Sequence, residues 1–259
     1  MENINPFLSV IIPVFNEEQT VEQIVRRVLS QPFDIEVIVV NDCSRDHTKE
    51  ILAKLVEKDA RIRVFNHEVN KGKGAAIHTA IPNCRGRFVL IQDADLEYDP
   101  DEYFDLLQPL VYGKADVVFG SRFITTRARR VLYYWHSVVN NALTWLTNML
   151  ADVNLTDMET CYKVFRREVI QSLELKETRF GFEPEVTINV ARMGCRIYEV
   201  GISYAGRTYE EGKKIGAKDG FRAVWCILKY GIIARPKKCP PPREYMDDEE
   251  VFTHMNSHR

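Results

Sequence analysis

Three carboxylates at alternate positions, Asp93, Asp95 and Glu97, follow directly on the run Phe88-Val89-Leu90-Ile91-Gln92. Four apolar residues in a row read as a strand buried on both faces, so the acids stand at a strand end. Crowding charges there is costly unless something positive sits among them. A hard divalent cation, Mg2+ or Mn2+, is the natural partner, because it takes oxygen ligands and often keeps a substrate phosphate as another. The plain alternative is a solvated acidic loop after a core strand, since Asp-x-Asp alone is a common pattern.

Other apolar runs also end in polar residues. Phe15-Asn16-Glu17 follows the strand pattern Leu8–Val14, and Asn41-Asp42 follows Ile35–Val40. Asn70-Lys71-Gly72-Lys73-Gly74 follows Ile62–Phe65, and Gly120-Ser121-Arg122 follows Asp116–Phe119. Helical spacing over Val21–Leu29, Thr48–Glu57, Ala75–Ile81 and Glu102–Val111 separates these strands, with Ser44 or Asp46 placed to cap the second helix. Strands alternating with helices at this tempo predict an α/β fold with a mostly parallel central sheet and helices on both faces. Ligands of such sheets bind outside the carboxyl ends of the strands. Five polar strand ends in one chain therefore point to one site.

The second half has a different character. A long helix over Val131–Leu150 carries a polar stripe, Ser137, Asn141, Thr144 and Asn148, opposite an apolar face with Tyr133, Tyr134, Trp135, Leu143 and Trp145. Arg127, Arg129 and Arg130 precede it. Arg122, this basic cluster and His136, next to an apolar helix, suit a phosphate bearing a greasy tail; the alternative is a core or dimer helix with a solvated basic lead-in. Asp157 opens an irregular stretch through Lys163, and helices are expected over Arg166–Leu173, Phe182–Met193 and Asp219–Ile233. Ile197–Val200 and Ile202–Tyr204 read as short strands. The glycine-punctuated loop Gly206–Gly216 is suited to closing over a ligand, with Arg207 and Lys213 or Lys214 on its phosphates, or else it is a solvated basic turn. Asp157 and Glu183 are the carboxylates that a hydroxyl acceptor would need as bases, or they are helix-cap groups.

Composition excludes several classes. With 259 residues, 45% hydrophobic and 28% charged, the chain is an ordinary globular protein, and a net charge of −2 argues against general nucleic-acid binding. The six cysteines show no paired-ligand spacing, which predicts neither structural disulfides nor zinc, and a reducing cytosol. The start lacks a signal-peptide pattern, and no segment reaches the ~20 apolar residues of a membrane span, so membrane contact is expected to be peripheral. The expected organisation is one domain over 1–233, divided into halves at 8–122 and 123–233, with 234–259 a tail.

Taken as an ordered set over Leu8–Ile233, Val10–Glu18, Val40–Thr48, Asn70–Gly74, Asp93-Ala94-Asp95 and Gly120-Ser121-Arg122 resemble the family-2 glycosyltransferases, in particular the dolichyl-phosphate mannosyltransferase-like branch acting on polyprenyl phosphates. The resemblance implies a GT-A-type nucleotide-binding domain with an acceptor-side helical and loop region. It implies inverting, metal-dependent transfer of a hexose from a nucleoside diphosphate sugar, of the GDP-mannose or UDP-glucose class, to a polyprenyl phosphate at the cytoplasmic membrane face. Carried over, Pro13, Phe15 and Glu17 bracket base and ribose, Asp42 binds the base, and Lys73 lies beside the nucleotide with Lys214. Asp93 and Asp95 address ribose and metal, with Glu97 where the mannosyltransferases have a glutamine ligand. Arg122, Arg130 and His136 take the acceptor phosphate, and Asp95, Arg122 and Arg207 carry the catalysis. The chain departs from the family pattern at Asn41 and Phe15, usually aspartate and tyrosine, and at Cys43 and His47, usually glycines. A nucleotidyltransferase is disfavoured because Pro13–Glu18 lacks glycine, and Lys71–Gly74 is not a P-loop, since His67 stands where its first glycine belongs. Transfer to a sugar hydroxyl, a non-catalytic sugar-nucleotide binder, and a homo-oligomer formed on the apolar helix remain as alternative expectations.

Overall fold

The computed structural model describes residues 6–124, 130, 131, 133–207, 217–233 and 237–242. Strands β1 (Leu8–Val14), β2 (Ile35–Asn41), β3 (Ile62–Asn66), β4 (Phe88–Ile91), β5 (Val117–Ser121), β6 (Lys163–Arg166) and β7 (Ile197–Gly201) form one sheet in the order β3-β2-β1-β4-β6-β5-β7. All pairings are parallel except those of β6, which runs antiparallel to both β4 and β5. The strands β2, β4, β5 and β6 are buried at every position, as a sheet covered on both faces requires. Helices α1 (Val21–Leu29), α2 (Thr48–Lys58), α3 (Lys73–Ala80), α4 (Tyr103–Val111), α5 (Tyr134–Ala151), α6 (Arg167–Ser172), α7 (Phe182–Arg192) and α8 (Ala217–Ile233) complete the fold. A smaller cluster, with Leu143, Met158, Ile188, Cys226 and Tyr230, joins α5, α7 and α8 beside the main core.

Three expectations differ from the structure. Lys163–Arg166, expected to be partly irregular and then helical, is the central antiparallel strand β6. Its charged ends hid it: Lys163 is fully buried, its Nζ donating to the carbonyls of Met158 (2.9 Å) and Thr160 and lying 4.7 Å from the Phe119 ring centroid. Ile202–Tyr204 is not a strand. Ser203 N–H donates to Glu102 Oε1 (2.8 Å) and Ala205 N–H to the Glu97 carbonyl (3.0 Å), so side-chain and loop acceptors replace a ladder. On α5 the polar stripe is partly the inner face: Thr144 is buried and accepts from Met158 N–H, and Asn148 clasps Leu155, while Trp135 and Trp145 point outward.

Of the expected tail, residues 237–242 lie against the sheet, and 243–259 fall outside the described residues.

Candidate functional site

The turns after β1, β2 and β4 share a backbone feature. Asn16 (φ 54°), Cys43 (φ 62°) and Leu96 (φ 64°) occupy the left-handed region. For a residue with a Cβ this is uncommon and costs about 1–2 kcal/mol. At the first two turns the surrounding contacts hold it. Asn16 N–H donates to Ser44 Oγ (3.0 Å) and Arg45 N–H to Asn16 Oδ1 (2.8 Å), while Glu17 N–H donates to Thr48 Oγ1 (3.0 Å) and Glu18 N–H to Asp46 Oδ2 (3.1 Å). Asp46 also accepts from Thr48 N–H (3.1 Å), but the N-cap position of α2 is His47, without a side-chain cap bond, and not the expected Ser44 or Asp46. The first two strand ends are thus one laced unit.

Asp42, at the end of β2, is 3% exposed. Its Oδ1 accepts from Lys71 N–H (2.9 Å) and faces His67 Nδ1 (2.7 Å), and its Oδ2 accepts from Gly72 N–H (2.6 Å). Gly72, at φ 97°, lies where an added Cβ would meet the Thr178 carbonyl at 2.5 Å, so the loop needs glycine there. The loop leads into α3 at Lys73. The Lys73 ammonium lies 2.9 Å from Asp93 Oδ1 and 3.1 Å from Glu183 Oε1. Burial opposes its charge, yet these carboxylates hold its pKa well above the usual lysine value.

Beyond β4 the acids divide. Asp93 is paired with Lys73. Glu97 Oε2 accepts from the Tyr204 hydroxyl (2.7 Å) and Oε1 from Arg207 N–H (2.6 Å), which fixes the chain after β7 over the strip. Asp95 accepts Glu97 N–H (3.2 Å), and burial, then the Asp93 and Glu97 carboxylates, push its pKa up to about 7. Arg207 offsets this only in part. An all-oxygen donor set of this kind fits Mg2+ or Mn2+. Among the described residues, however, no three His, Cys, Asp or Glu side chains converge into a ready metal cage. Asp93, Asp95 and Glu97 are neighbours without being a preformed triad.

Arg207 reaches across to Glu17, with Nη2 2.9 Å from Oε2 and Nη1 3.3 Å from Oε1. Arg122, just past β5, makes a bidentate pair with Asp157, which is fully buried (Nε–Oδ2 2.6 Å, Nη2–Oδ1 2.7 Å). Its Nη2 also donates to Asn140 Oδ1 on α5 (3.1 Å), and the guanidinium lies 5.2 Å from the Tyr204 ring centroid. Arg122 thus connects α5 with the acidic strip. Arg130 N–H donates to the Tyr204 carbonyl (2.9 Å) and its Nη1 to the Gly206 carbonyl (2.9 Å), while the His136 ring packs on Tyr133 with centroids 5.8 Å apart. A cavity lined by Arg87, Phe88, Leu110 and Arg166 opens at the opposite end of β4 and holds none of these residues.

Against known proteins, residues 9–173 match the family model Glycosyl transferase family 2. The chain belongs to that family. It is 28% identical over 239 residues to the dodecaprenyl-phosphate galacturonate synthase of Rhizobium johnstonii, covering 90% of this chain and 69% of that one. It is 27% identical over 231 residues to the undecaprenyl-phosphate mannosyltransferase of Micrococcus luteus, covering 87% and 94%. The glucosyl-3-phosphoglycerate synthase of Mycobacterium tuberculosis, crystallised with Mn2+, UDP and phosphoglyceric acid, aligns with a TM-score of 0.67 at 21% identity over 89% of this chain and 80% of that one. That likeness carries the fold, which is the expected GT-A-type α/β architecture. The family-2 chain is a glycosyltransferase, and the two relatives named here are polyprenyl-phosphate enzymes that differ in the sugar they are named for.

In this family-2 chain the strand ends bring Pro13, Phe15, Glu17, Asp42, Lys73, Asp93, Asp95, Glu97, Arg122 and Arg207 to one edge of the sheet. Arg130 joins them through the 204–206 backbone, and His136 lies on α5. Arg127, Arg129, Lys213 and Lys214 lie outside the described residues. Sequence reasoning missed His67 as the partner of Asp42, Glu183 as that of Lys73, Asp157 as that of Arg122, and Tyr204 altogether. Only burial distinguishes these, and burial of a polar residue has no local signature.

Proposed function

We propose that this glycosyltransferase moves a hexose from a nucleoside diphosphate sugar, of the GDP-mannose or UDP-glucose class, to a polyprenyl phosphate, with inversion and with Mg2+ or Mn2+ as cofactor. The observation that carries the reading is the position of Arg122, which touches α5 through Asn140 and the acidic strip through Tyr204. On this reading 8–122 holds the donor and 123–233 the acceptor. Pro13, Phe15, Glu17 and Asp42 receive the nucleoside, and Lys73 stands beside it. Asp95, with Asp93 or Glu97, would hold the cation. A bound divalent cation stabilises the charge that builds on the departing diphosphate.

The protein's own part is positioning. Arg207 exchanges Glu17 for the diphosphate, and the Glu97 bonds hold the Arg207 backbone at that edge. A lipid phosphate is already ionised and attacks without a base, so it needs a fixed cation instead. Arg122, clamped by Asp157, with Arg130 and His136 nearby, supplies that. Asp157 and Glu183, the carboxylates a hydroxyl acceptor would need, are instead engaged with Arg122 and Lys73.

The lipid tail has a surface to meet. Trp135, Trp145 and Trp225 are 73%, 65% and 58% exposed on α5 and α8, with Tyr134, Phe221 and Ile232 also bare. Aromatic residues of this kind sit well at a membrane interface. Among the described residues no helix is long and apolar enough to cross a bilayer. These exposed aromatics support peripheral contact at the cytoplasmic face. The test is incubation with Mg2+ or Mn2+ and UDP-glucose or GDP-mannose, with and without a short polyprenyl phosphate. A lipid-linked sugar formed only with metal supports the reading. Transfer to saccharide hydroxyls alone, or donor binding without turnover, overturns it.

A further inference from the structure

Away from the donor edge, Cys195 lies in the turn between α7 and β7, and Cys239 lies in the stretch after α8. Their Sγ atoms are 2.6 Å apart, and both residues are half-buried free thiols. The chain around Cys239 is held in place. Cys239 N–H donates to the Met193 carbonyl (2.9 Å), Arg166 Nη1 to the Pro241 carbonyl (2.9 Å) and Arg166 Nη2 to the Pro240 carbonyl (2.6 Å). Arg166 ends β6, is itself 7% exposed and is paired with Asp116 at 2.9 Å. The two thiols are thus brought together by a buried scaffold, with nothing in the transferase chemistry to use them.

We propose that Cys195 and Cys239 form a dithiol–disulfide switch that staples residues 237–242 to the sheet. Cys239 is the attacking group. Arg166 Nη2 lies 3.8 Å from its sulfur, and a guanidinium at that distance favours the thiolate. The Cys195 thiol, followed by Arg166, holds the Cys239 thiol below its ordinary pKa, while burial and Asp116 pull the other way. The oxidant is a low-molecular-weight disulfide such as oxidised glutathione. Cys239 thiolate attacks one of its sulfurs, forming a mixed disulfide and releasing one small thiolate. Cys195 then gives its proton to solvent and attacks the Cys239 sulfur, releasing the second. The protein loses two hydrogens as two electrons and two protons, and the small disulfide becomes two thiols.

The staple spans a sequence separation of 44 and encloses β7, Arg207 and α8 in one covalent ring. It therefore ties down both the segment that reaches Glu17 and the helix that carries Trp225. In a reducing compartment the pair rests open, and oxidation closes it.

The test is peptide mapping of the intact protein under non-reducing conditions after incubation with oxidised glutathione. The expected result is a cross-linked peptide pair joining Cys195 and Cys239, with a loss of two hydrogens, reversed by dithiothreitol and absent in Cys239→Ser. Recovery of either residue as a free thiol, as a lasting glutathione adduct, or joined to another cysteine overturns the proposal.

Discussion

Replacing Asp42 tests whether the donor edge is assembled by the protein itself. The carboxylate is 3% exposed and holds the 70–73 loop through Lys71 N–H (2.9 Å), Gly72 N–H (2.6 Å) and His67 Nδ1 (2.7 Å). Asp42→Ala removes all three acceptor contacts. Lys71 is exposed, so water takes over its amide, but Gly72 packs on Thr178 and His67 is enclosed. A buried donor left without its acceptor costs about 1–3 kcal/mol. Two such losses give a destabilisation of about 3 kcal/mol, or roughly 6–12 °C in Tm at about 2–4 °C per kcal/mol for a chain of this size. Asp42→Asn keeps one acceptor oxygen and the shape, and should lose about half as much. Donor affinity should also fall about ten- to hundred-fold in the alanine variant, the worth of one charge-assisted contact. Differential scanning calorimetry with a UDP or GDP titration reads both quantities. An alanine variant with the wild-type Tm refutes the anchoring argument, and one with a lowered Tm but unchanged donor affinity removes Asp42 from the nucleotide site.

Asp95→Asn should keep the fold, with a Tm no lower than wild type because it removes a charge that burial and two neighbouring carboxylates disfavour, while abolishing metal-dependent transfer and weakening Mn2+ binding; wild-type-like turnover of the purified variant would refute the assignment. Glu177 accepts from Arg222, Lys229 and Tyr230 on α8, and these bonds outweigh burial and lower its pKa from 4.5 to about 2. A depressed folded value means stability that is present above the ordinary value of 4.5 and is lost as pH falls towards 2. After discounting for solvent around the two cations, that contribution is about 1–2 kcal/mol. Thermal melts of wild type and Glu177→Gln should converge as pH drops through about 4, and parallel curves would sink the claim. All three tryptophans of the chain are exposed on α5 and α8, so emission should shift to the blue on adding vesicles doped with polyprenyl phosphate. An unchanged spectrum argues against membrane contact by this face.

The first half of the chain was legible because its signals are local. β1 to β5 are apolar runs of strand length, and the polar residues closing them sit where a parallel sheet gathers its ligands. The second half was less so, because its polar groups are satisfied over long sequence separations. β6 begins and ends in a buried cation, Lys163 bonded to nearby carbonyls and Arg166 to the 240–241 backbone. No pattern that equates charge with solvent would place it in the middle of a sheet. The polar stripe of α5 misled for the same reason: Thr144 and Asn148 serve the 155–158 turn, and the aromatic side remains outside. Cys43 illustrates the opposite case. Its replacement of a glycine was visible in the sequence, and its φ of 62° gives the reason glycine is the easier residue there.

Among the described residues Lys73, Arg122 and Arg207 are each ion-paired, and their pairings differ in what a ligand can displace. Arg122 is bound to a carboxylate with no solvent contact, and stripping a buried charge of its partner costs about 3–5 kcal/mol. A phosphate arriving there is met by Arg122 with Asp157 still attached. Arg207 is different. Its side chain is 20% exposed, and Glu17 at 10% keeps the Thr20 hydroxyl as a second partner when the arginine leaves. A diphosphate carries more charge than one carboxylate and can take Arg207 at modest cost. The fixed arginine thus stands on the α5 side and the exchangeable one beside Glu17, on the proposed nucleotide side. On the proposed reading an acceptor phosphate, which stays anionic as its diester, needs a constant host, and a leaving group whose charge grows needs a partner that comes to it.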